Sequence, residues 1–246
     1  MSEKIRLDKF LTDAGLMASR SEAQAAITAG NVQVNGRIVT KASQKVSRDD
    51  AIEAQKAHPY VSRAALKLKG ALEVFPVDVQ GKKCLDVGSS TGGFTEVLLE
   101  TGAQHVVSVD VGRDQFHQRL REDARITLLE QLDARHLTAD LVGEPPQLIV
   151  CDASFIGLEK VLWPALSYAA ERADLIALFK PQFQVGRKHV GKGGIVSNEE
   201  AVEIAFQAFE SWLAENGWHV QARAPSPISG SDGNKEYLVW ATNSRG

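Results

Sequence analysis

The chain has 246 residues, 28 Lys and Arg against 31 Asp and Glu, and a formal net charge of −3, with 43% apolar residues. That length suits one large domain, or one of about 150 to 180 residues with a small companion. Apolar runs no longer than LIALF at 175–179 exclude a bilayer span, and MSEKIRLDKF has no apolar signal core.

Charge divides the chain. Residues 1–69 carry 12 Lys and Arg against 7 Asp and Glu, and residues 70–246 carry 16 against 24. A basic front suits a polyanion partner, whereas a single surface charge usually serves only solvation. In RLDKFLTDA, residues 6–14, Leu7, Phe10 and Leu11 share one helical face, and Gly15 can end the helix. Ser19 or Ser21 can cap a second helix that stops at Gly30. VQVNGRIV alternates around Asn35-Gly36, a hairpin signal because a type I′ turn needs positive φ at both positions. Residues 1–57 thus read as a small α+β domain, 58–62 as a linker broken at Pro59, and 63–246 as a second domain.

Helix resumes at Ser62 with Ala65, Leu66, Leu68 and Leu72 as its apolar side. KKCLDVG, HVVSVDV, ITLLEQ, LIVCDAS and DLIALFKP read as strands with helices between them, which implies a parallel sheet covered on both faces. WHVQARAPSPI and KEYLVWAT read as an antiparallel edge pair. Cys84 and Cys151 sit in buried-strand positions, so no disulfide is expected and a reducing cytoplasm follows. His58, His105, His117, His136, His189 and His219 show no metal-ligand spacing, and no metal is expected. Trp163, Trp212, Trp218 and Trp240 are expected as core or packing residues.

The first strand of the second domain ends in LDVGSSTGGFT. In an open parallel sheet the ligand crevice lies beyond such strand ends, and Gly88, Gly92 and Gly93 permit close backbone approach. The spacing G-x-x-x-G-G departs from the dinucleotide fingerprint. Asp86 would also repel a pyrophosphate, at a cost of order a few kcal/mol. A sulfonium ligand bearing an ammonium, S-adenosylmethionine, reverses that sign. Asp110 stands where ribose hydroxyls would be held, and Asp133 where the adenine edge would lie. Singly each aspartate reads as a helix N-cap; together they point to a nucleoside cofactor. The expected cofactor contacts are Asp86, Gly88, Ser89, Ser90, Gly92, Gly93, Phe94, Asp110, Val111, Asp133, Ala134 and Asp152.

Asp152 and Lys180 each close an apolar strand and should project into that crevice, Lys67 lies on the preceding helix, and Glu236 begins a later strand. A lysine closing an apolar strand is costly unless paired or functional. The ordered segments LKLKGAL, CLDVGSSTGGFT, CDASFI, FKPQFQVG and SPISGSDGNKEYL resemble the TlyA family, among the FtsJ-like methyltransferases, over nearly the whole chain. RLDKFL, SRSEAQAAITAG and VQVNG resemble the S4-like RNA-binding domain of a ribosomal protein.

The resemblance implies a Rossmann-like S-adenosylmethionine-dependent methyltransferase domain behind an S4-like domain. Its activity would be methylation of a cytidine ribose 2′-hydroxyl in ribosomal RNA, 23S with 16S as a further substrate. It also implies a catalytic Lys-Asp-Lys-Glu tetrad at Lys67, Asp152, Lys180 and Glu236. A 2′-hydroxyl needs a base, and Lys180 can serve only when neutral, a state that burial and nearby Lys67 favour while Asp152 and Glu236 oppose it. Members of the family it resembles can carry an Arg and a Trp just before the VSR segment, the neighbourhood in which this chain has His58 and Tyr60.

Arg6, Lys9, Arg20, Arg37 and Lys41, with Arg63, are expected to meet RNA phosphates, and Arg187, Lys188 and Lys192 make 186–194 a mobile basic flap. Phe155 is expected to fill the crevice wall, with stacking on a target base as the alternative. A monomer that meets ribosomal RNA or a ribosomal subunit, but no membrane, is expected. The family's haemolysin label offers a rival function, though no basic amphipathic helix is visible. A non-catalytic RNA-binding protein is the other.

Overall fold

The computed structural model describes residues 4–17, 19–230 and 232–243. Residues 1–3 and 244–246, the outer ends of the two expected domains, lie outside the described residues, as do Ala18 and Ser231. The chain divides into two compact units, Met1–Arg63 and Ala64–Gly246.

The first unit runs β1 (Ile5–Arg6), α1 (Leu7–Asp13), α2 (Arg20–Thr28), β2 (Val32–Val34), β3 (Arg37–Ile38), β4 (Lys45–Val46) and β5 (Ile52–Ala54). Ser19 is the cap of α2; its Oγ accepts from the Glu22 N–H at 3.2 Å, satisfying a donor the helix leaves free. Asn35 (φ 51°) and Gly36 (φ 73°) make the expected hairpin turn between β2 and β3. Leu7, Leu11, Ala26, Ile27, Val32 and Val46 close the core, so the apolar faces of α1 and α2 meet the strands there. Two features escape the period of the sequence. β1 pairs with β4, so Arg6 belongs to a strand rather than a helix. β5 pairs with β2, and Asn35 helps by accepting from the Ala51 N–H at 2.9 Å.

The second unit runs α3 (Ala65–Val74), β6 (Lys83–Val87), α4 (Gly93–Glu100), β7 (His105–Asp110), α5 (Gln118–Arg121), β8 (Ile126–Glu130) and α6 (Ala139–Val142). It continues with β9 (Leu148–Cys151), α7 (Leu158–Ser167), β10 (Asp174–Phe179), α8 (Pro181–Gln184), α9 (Glu199–Glu215), β11 (Trp218–Pro225) and β12 (Tyr237–Asn243). Among the described residues these strands form one seven-stranded sheet in the order β11-β12-β10-β9-β6-β7-β8. β8, β7, β6, β9 and β10 are parallel, and β12 runs antiparallel to both β10 and β11. The chain winds from β6 outward to β8 and then returns to the other side of β6 as β9. That reversal opens a crevice at the carboxyl ends of β6 and β9.

Packing against the sheet decides where the large side chains go. Phe179 is fully buried and stacks on Phe206 with ring centroids 3.8 Å apart, a burial worth about 1.5–3 kcal/mol for such a side chain. Trp218 is equally buried, but Trp163 is not a core residue: it is 53% exposed. α7 turns Leu158, Val161, Leu162, Ala165 and Leu166 inward, which leaves position 163 on the outer face. α3 begins at Ala65, three residues after the expected start, and its buried face is Ala65, Lys67, Leu68 and Ala71. Cys84 and Cys151 are free and buried, and burial pushes both thiols up to about 12.

Candidate active site

The sheet register brings the polar cluster together. β9 lies between β6 and β10, with Val87 beside Cys151 and Ala177 beside Cys151, so the residue after each strand enters one crevice. Those residues are Gly88, Asp152 and Lys180. Phe179 pairs with Tyr237, so Glu236, which precedes β12 rather than opening it, arrives from the antiparallel side next to Lys180. Lys67 reaches the cluster from α3.

Lys180 Nζ lies 2.6 Å from Asp152 Oδ1 and donates to the Asp152 carbonyl at 3.0 Å and to Ser154 Oγ at 2.7 Å. Lys67 Nζ lies 2.7 Å from Glu236 Oε2 and 3.5 Å from Asp152 Oδ2. Lys67, Lys180 and Glu236 are all buried. Two ammonium and two carboxylate groups therefore compensate one another, which is what lets four ionisable side chains stay out of water. Asp152 is the hub, one oxygen toward each lysine. Ser154, overlooked in the sequence, is the partner of Lys180 that can reverse between acceptor and donor. Its position two residues beyond Asp152 was the available signal.

The glycine loop adjoins this cluster. Gly88 has φ 83°, and a Cβ there would sit 3.0 Å from the backbone of Ala153; Gly92 has φ 92° and caps α4. Asp86 is fully buried rather than open to the crevice. Its Oδ2 accepts from the Thr95 hydroxyl at 2.6 Å, and its Oδ1 has no hydrogen-bond partner among the described residues. Burial pushes this carboxyl up to about 7, with the neighbouring Asp152 and Asp110 charges adding to the rise. Ser89 Oγ is likewise buried without a partner among the described residues. Asp110 accepts from the backbone N–H groups of Ser90 at 2.9 Å and Gly112 at 2.6 Å, and Val111 beside it is exposed. Asp133 caps a short helical turn and is held by Arg135, whose guanidinium lowers its carboxyl to about 2. Phe94 and Ala134 are buried; Gly93 is the first residue of α4.

Phe155 does not fill the crevice wall. It is 90% exposed at φ 66°, with its ring 5.3 Å from that of Phe183. Together with Arg135, Lys160 and Arg187 these rings line a cleft beside the cluster. A left-handed non-glycine residue carrying an exposed aromatic ring is strained and solvent-facing at once, a combination found at binding surfaces.

Residues 60–243 match the FtsJ-like methyltransferase family, and residues 5–52 match the S4 domain. The chain belongs to the FtsJ-like methyltransferase family. Within it, this chain is 42% identical over 242 residues to the 16S/23S rRNA (cytidine-2'-O)-methyltransferase TlyA of Mycobacterium tuberculosis, covering 98% of this chain and 90% of that one. It is 39% identical over 237 residues to Hemolysin A of Brachyspira hyodysenteriae, covering 96% and 98%. A solved structure of a Streptococcus thermophilus protein that carries a hemolysin designation superposes with a TM-score of 0.78 at 33% identity, covering 99% and 90%. Among the described residues of this FtsJ-like chain no helix is long and apolar enough to cross a membrane, and no cluster of metal-ligating side chains occurs.

In the S4 unit the expected RNA contacts separate into two kinds. Arg6 and Arg20 both hold Asp8, a fully buried carboxylate, at 3.0 Å, and they keep it well below the usual carboxylate range. Lys9, Arg37 and Lys41 are exposed. Arg63 is half-buried. Replacing Arg37 and Lys41 together by alanine is expected to leave the thermal unfolding midpoint unchanged and to flatten the salt dependence of RNA binding by about two units of slope. Arg20→Ala should instead lower the midpoint first, because Asp8 loses a partner while buried. Filter binding across a salt series, with thermal unfolding in parallel, separates the two.

Proposed function

We propose that this chain transfers a methyl group from S-adenosylmethionine to the ribose 2′-hydroxyl of a cytidine in ribosomal RNA, within the cytoplasm. The observation that carries the reading is the compensated Lys67-Asp152-Lys180-Glu236 cluster beside a glycine loop at the switch point of the sheet. The loop fits that donor: Gly88 leaves no room for a side chain, and Asp86 Oδ1 and Ser89 Oγ are buried polar atoms with no hydrogen-bond partner among the described residues. Asp86, Gly88, Ser89, Ser90, Gly92 and Gly93 would hold its amino-acid end, Asp110 and Val111 its ribose, and Asp133 with Ala134 its base. Phe94 and Ala134 are buried, so their contribution would come from backbone.

When bound, the donor supplies an electrophilic methyl group on a positively charged sulfur. Lys180, in its neutral form, would take the 2′-hydroxyl proton as the oxygen–methyl bond forms and the sulfur–methyl bond breaks, the sulfur leaving as a neutral thioether and the lysine as an ammonium; the chain's part in that step would be proton transfer and orientation. Ser154 can turn its hydroxyl to donate to the neutral amine, so Lys180 keeps its position in both protonation states. Lys67 anchors Asp152 and Glu236, and with them the hub that aims Lys180. Phe155 and Phe183 would stack a base next to the reacting nucleotide, a sequence-tolerant contact worth about 1–3 kcal/mol.

Incubating the protein with methyl-labelled donor and rRNA from cells lacking it tests the proposal. Label should appear in RNA as 2′-O-methylcytidine, and Phe155→Ala should raise KM for RNA about tenfold without changing donor binding. Unlabelled RNA, or release of vesicle contents without donor, would favour the hemolysin reading that two relatives carry by name.

A further inference from the structure

Asn234 is among the few polar residues of the chain that are almost wholly buried, 2% exposed, and neither the tetrad nor the glycine loop includes it. Its side-chain amide joins two segments far apart in sequence. Oδ1 accepts from the Val196 N–H at 2.9 Å, and Nδ2 donates to the Gly194 carbonyl at 2.9 Å and to Asp232 Oδ2 at 2.9 Å. Its backbone carbonyl accepts from the Gly230 N–H at 3.0 Å, which closes the turn before Glu236. Both amide donors are thereby used, a degree of satisfaction that fixes the side chain.

The two joined segments have different tasks. One carries Glu236, two residues on, which pairs with Lys67. Gly230 lies so near that a Cβ on it would be 2.7 Å from Glu236 Oε1, so a shift of this turn moves the carboxylate. The other is the loop 186–196, with Arg187, Lys188 and Lys192 exposed. Gly186, Gly193 and Gly194 hold left-handed conformations there, and Gly191 N–H bonds the Ile195 carbonyl at 2.8 Å. The loop is built in short hydrogen-bonded turns and is tied down at its carboxyl end, which differs from the free flap expected of its four glycines.

We infer that Asn234 is a positioning residue that joins the basic loop 186–196 to the Glu236 turn, so that RNA phosphates held on the loop and the Lys67–Glu236 pair are set by one joint. This rests on the rRNA-methylating reading of the site. Backbone contacts from Arg187, Lys188 and Lys192 would align the RNA, and the joint would deliver that alignment to the carboxylate that anchors Lys67. The chemistry itself stays with the tetrad.

Trypsin reads the joint directly, because Arg187, Lys188 and Lys192 are its cleavage sites within the loop. In Asn234→Ala, loop cleavage of the full-length protein should accelerate about tenfold with the global unfolding midpoint held, as expected for a local opening. Asn234→Asp, which keeps the acceptor toward Val196 and loses the donor toward Gly194, should fall between the two and serves if the alanine variant does not fold. Methyl transfer to rRNA should lose kcat by up to about 10²-fold, with donor affinity within twofold. Adding Glu236→Gln to Asn234→Ala should leave kcat within about threefold of Glu236→Gln alone, since both changes act through one group. Unchanged loop cleavage, or losses that multiply in the double variant, would overturn the joint. Cleavage needs neither RNA nor donor, so a wild-type protein that fails to methylate rRNA would sink the functional reading while leaving this comparison to decide the joint on its own.

Discussion

Lys180→Ala is expected to lower methyl transfer to rRNA by about 10²–10⁴-fold, the usual contribution of a positioned base, while donor binding changes by less than about threefold. The geometry gives the reason for that split. Lys180 Nζ is held by Asp152 Oδ1, the Asp152 carbonyl and Ser154 Oγ, all on the segment that follows β9, whereas Asp86 and Ser89, whose Oδ1 and Oγ are buried without a hydrogen-bond partner among the described residues, belong to β6 and to the loop after it. Lys67 remains within 3.5 Å of Asp152 when Lys180 is gone, so the hub is not left as a lone buried charge. Lys180→Arg sharpens the test. A guanidinium keeps the positive charge and the hydrogen bonds but does not give up its proton at accessible pH. If charge alone mattered, arginine would rescue transfer; if Lys180 is the base, arginine should be as inactive as alanine. Transfer within tenfold of wild type in the arginine variant would remove Lys180 from that role.

Gly88→Ala should weaken donor binding by at least about tenfold and reduce kcat as well, a double loss that few single methyl groups produce. Two costs coincide. The left-handed backbone at φ 83° costs a residue with a Cβ about 1–2 kcal/mol. The added carbon would also meet the Ala153 Cα and N at 3.0 Å and the Asp152 carbonyl carbon at 3.3 Å. Those are backbone atoms and cannot rotate away, so the strand ends must separate. That movement displaces both the loop that would receive the donor and the segment bearing Asp152 and Ser154. Gly143→Ala is the control: φ is 72° but nothing lies within 4 Å of the new carbon, so strain is added without a collision. Calorimetric titration of the donor should find Gly143→Ala near wild type and Gly88→Ala far weaker. Equal affinities would mean that the loop adjoining Gly88 is not where the donor sits.

The residues themselves determined a good deal of this protein. Asn35-Gly36 makes its turn because positive φ is a local demand, Ser19 caps α2 because its hydroxyl reaches an N–H three residues on, and the apolar runs become strands because they can be covered on both faces. The order in which Gly88, Asp152 and Lys180 follow parallel strands was legible for the same reason, since a parallel sheet puts every carboxyl end on one side. What the chain's periodicity did not carry was any relation between distant segments. The short pairs of β1 with β4 and β5 with β2 depend on partners 40 and about 20 residues away. Phe155 looked like wall and proved to be surface, Trp163 looked like core and faces outward, and Arg6 and Arg20 share a buried carboxylate before they can meet RNA. Asn234 gave no signal at all. Its importance arises only when the turn before β12 and the loop after α8 are folded side by side. Local conformational preference is written residue by residue, but which buried charge finds its counter-ion, and which amide finds two strangers to hold, is settled by packing.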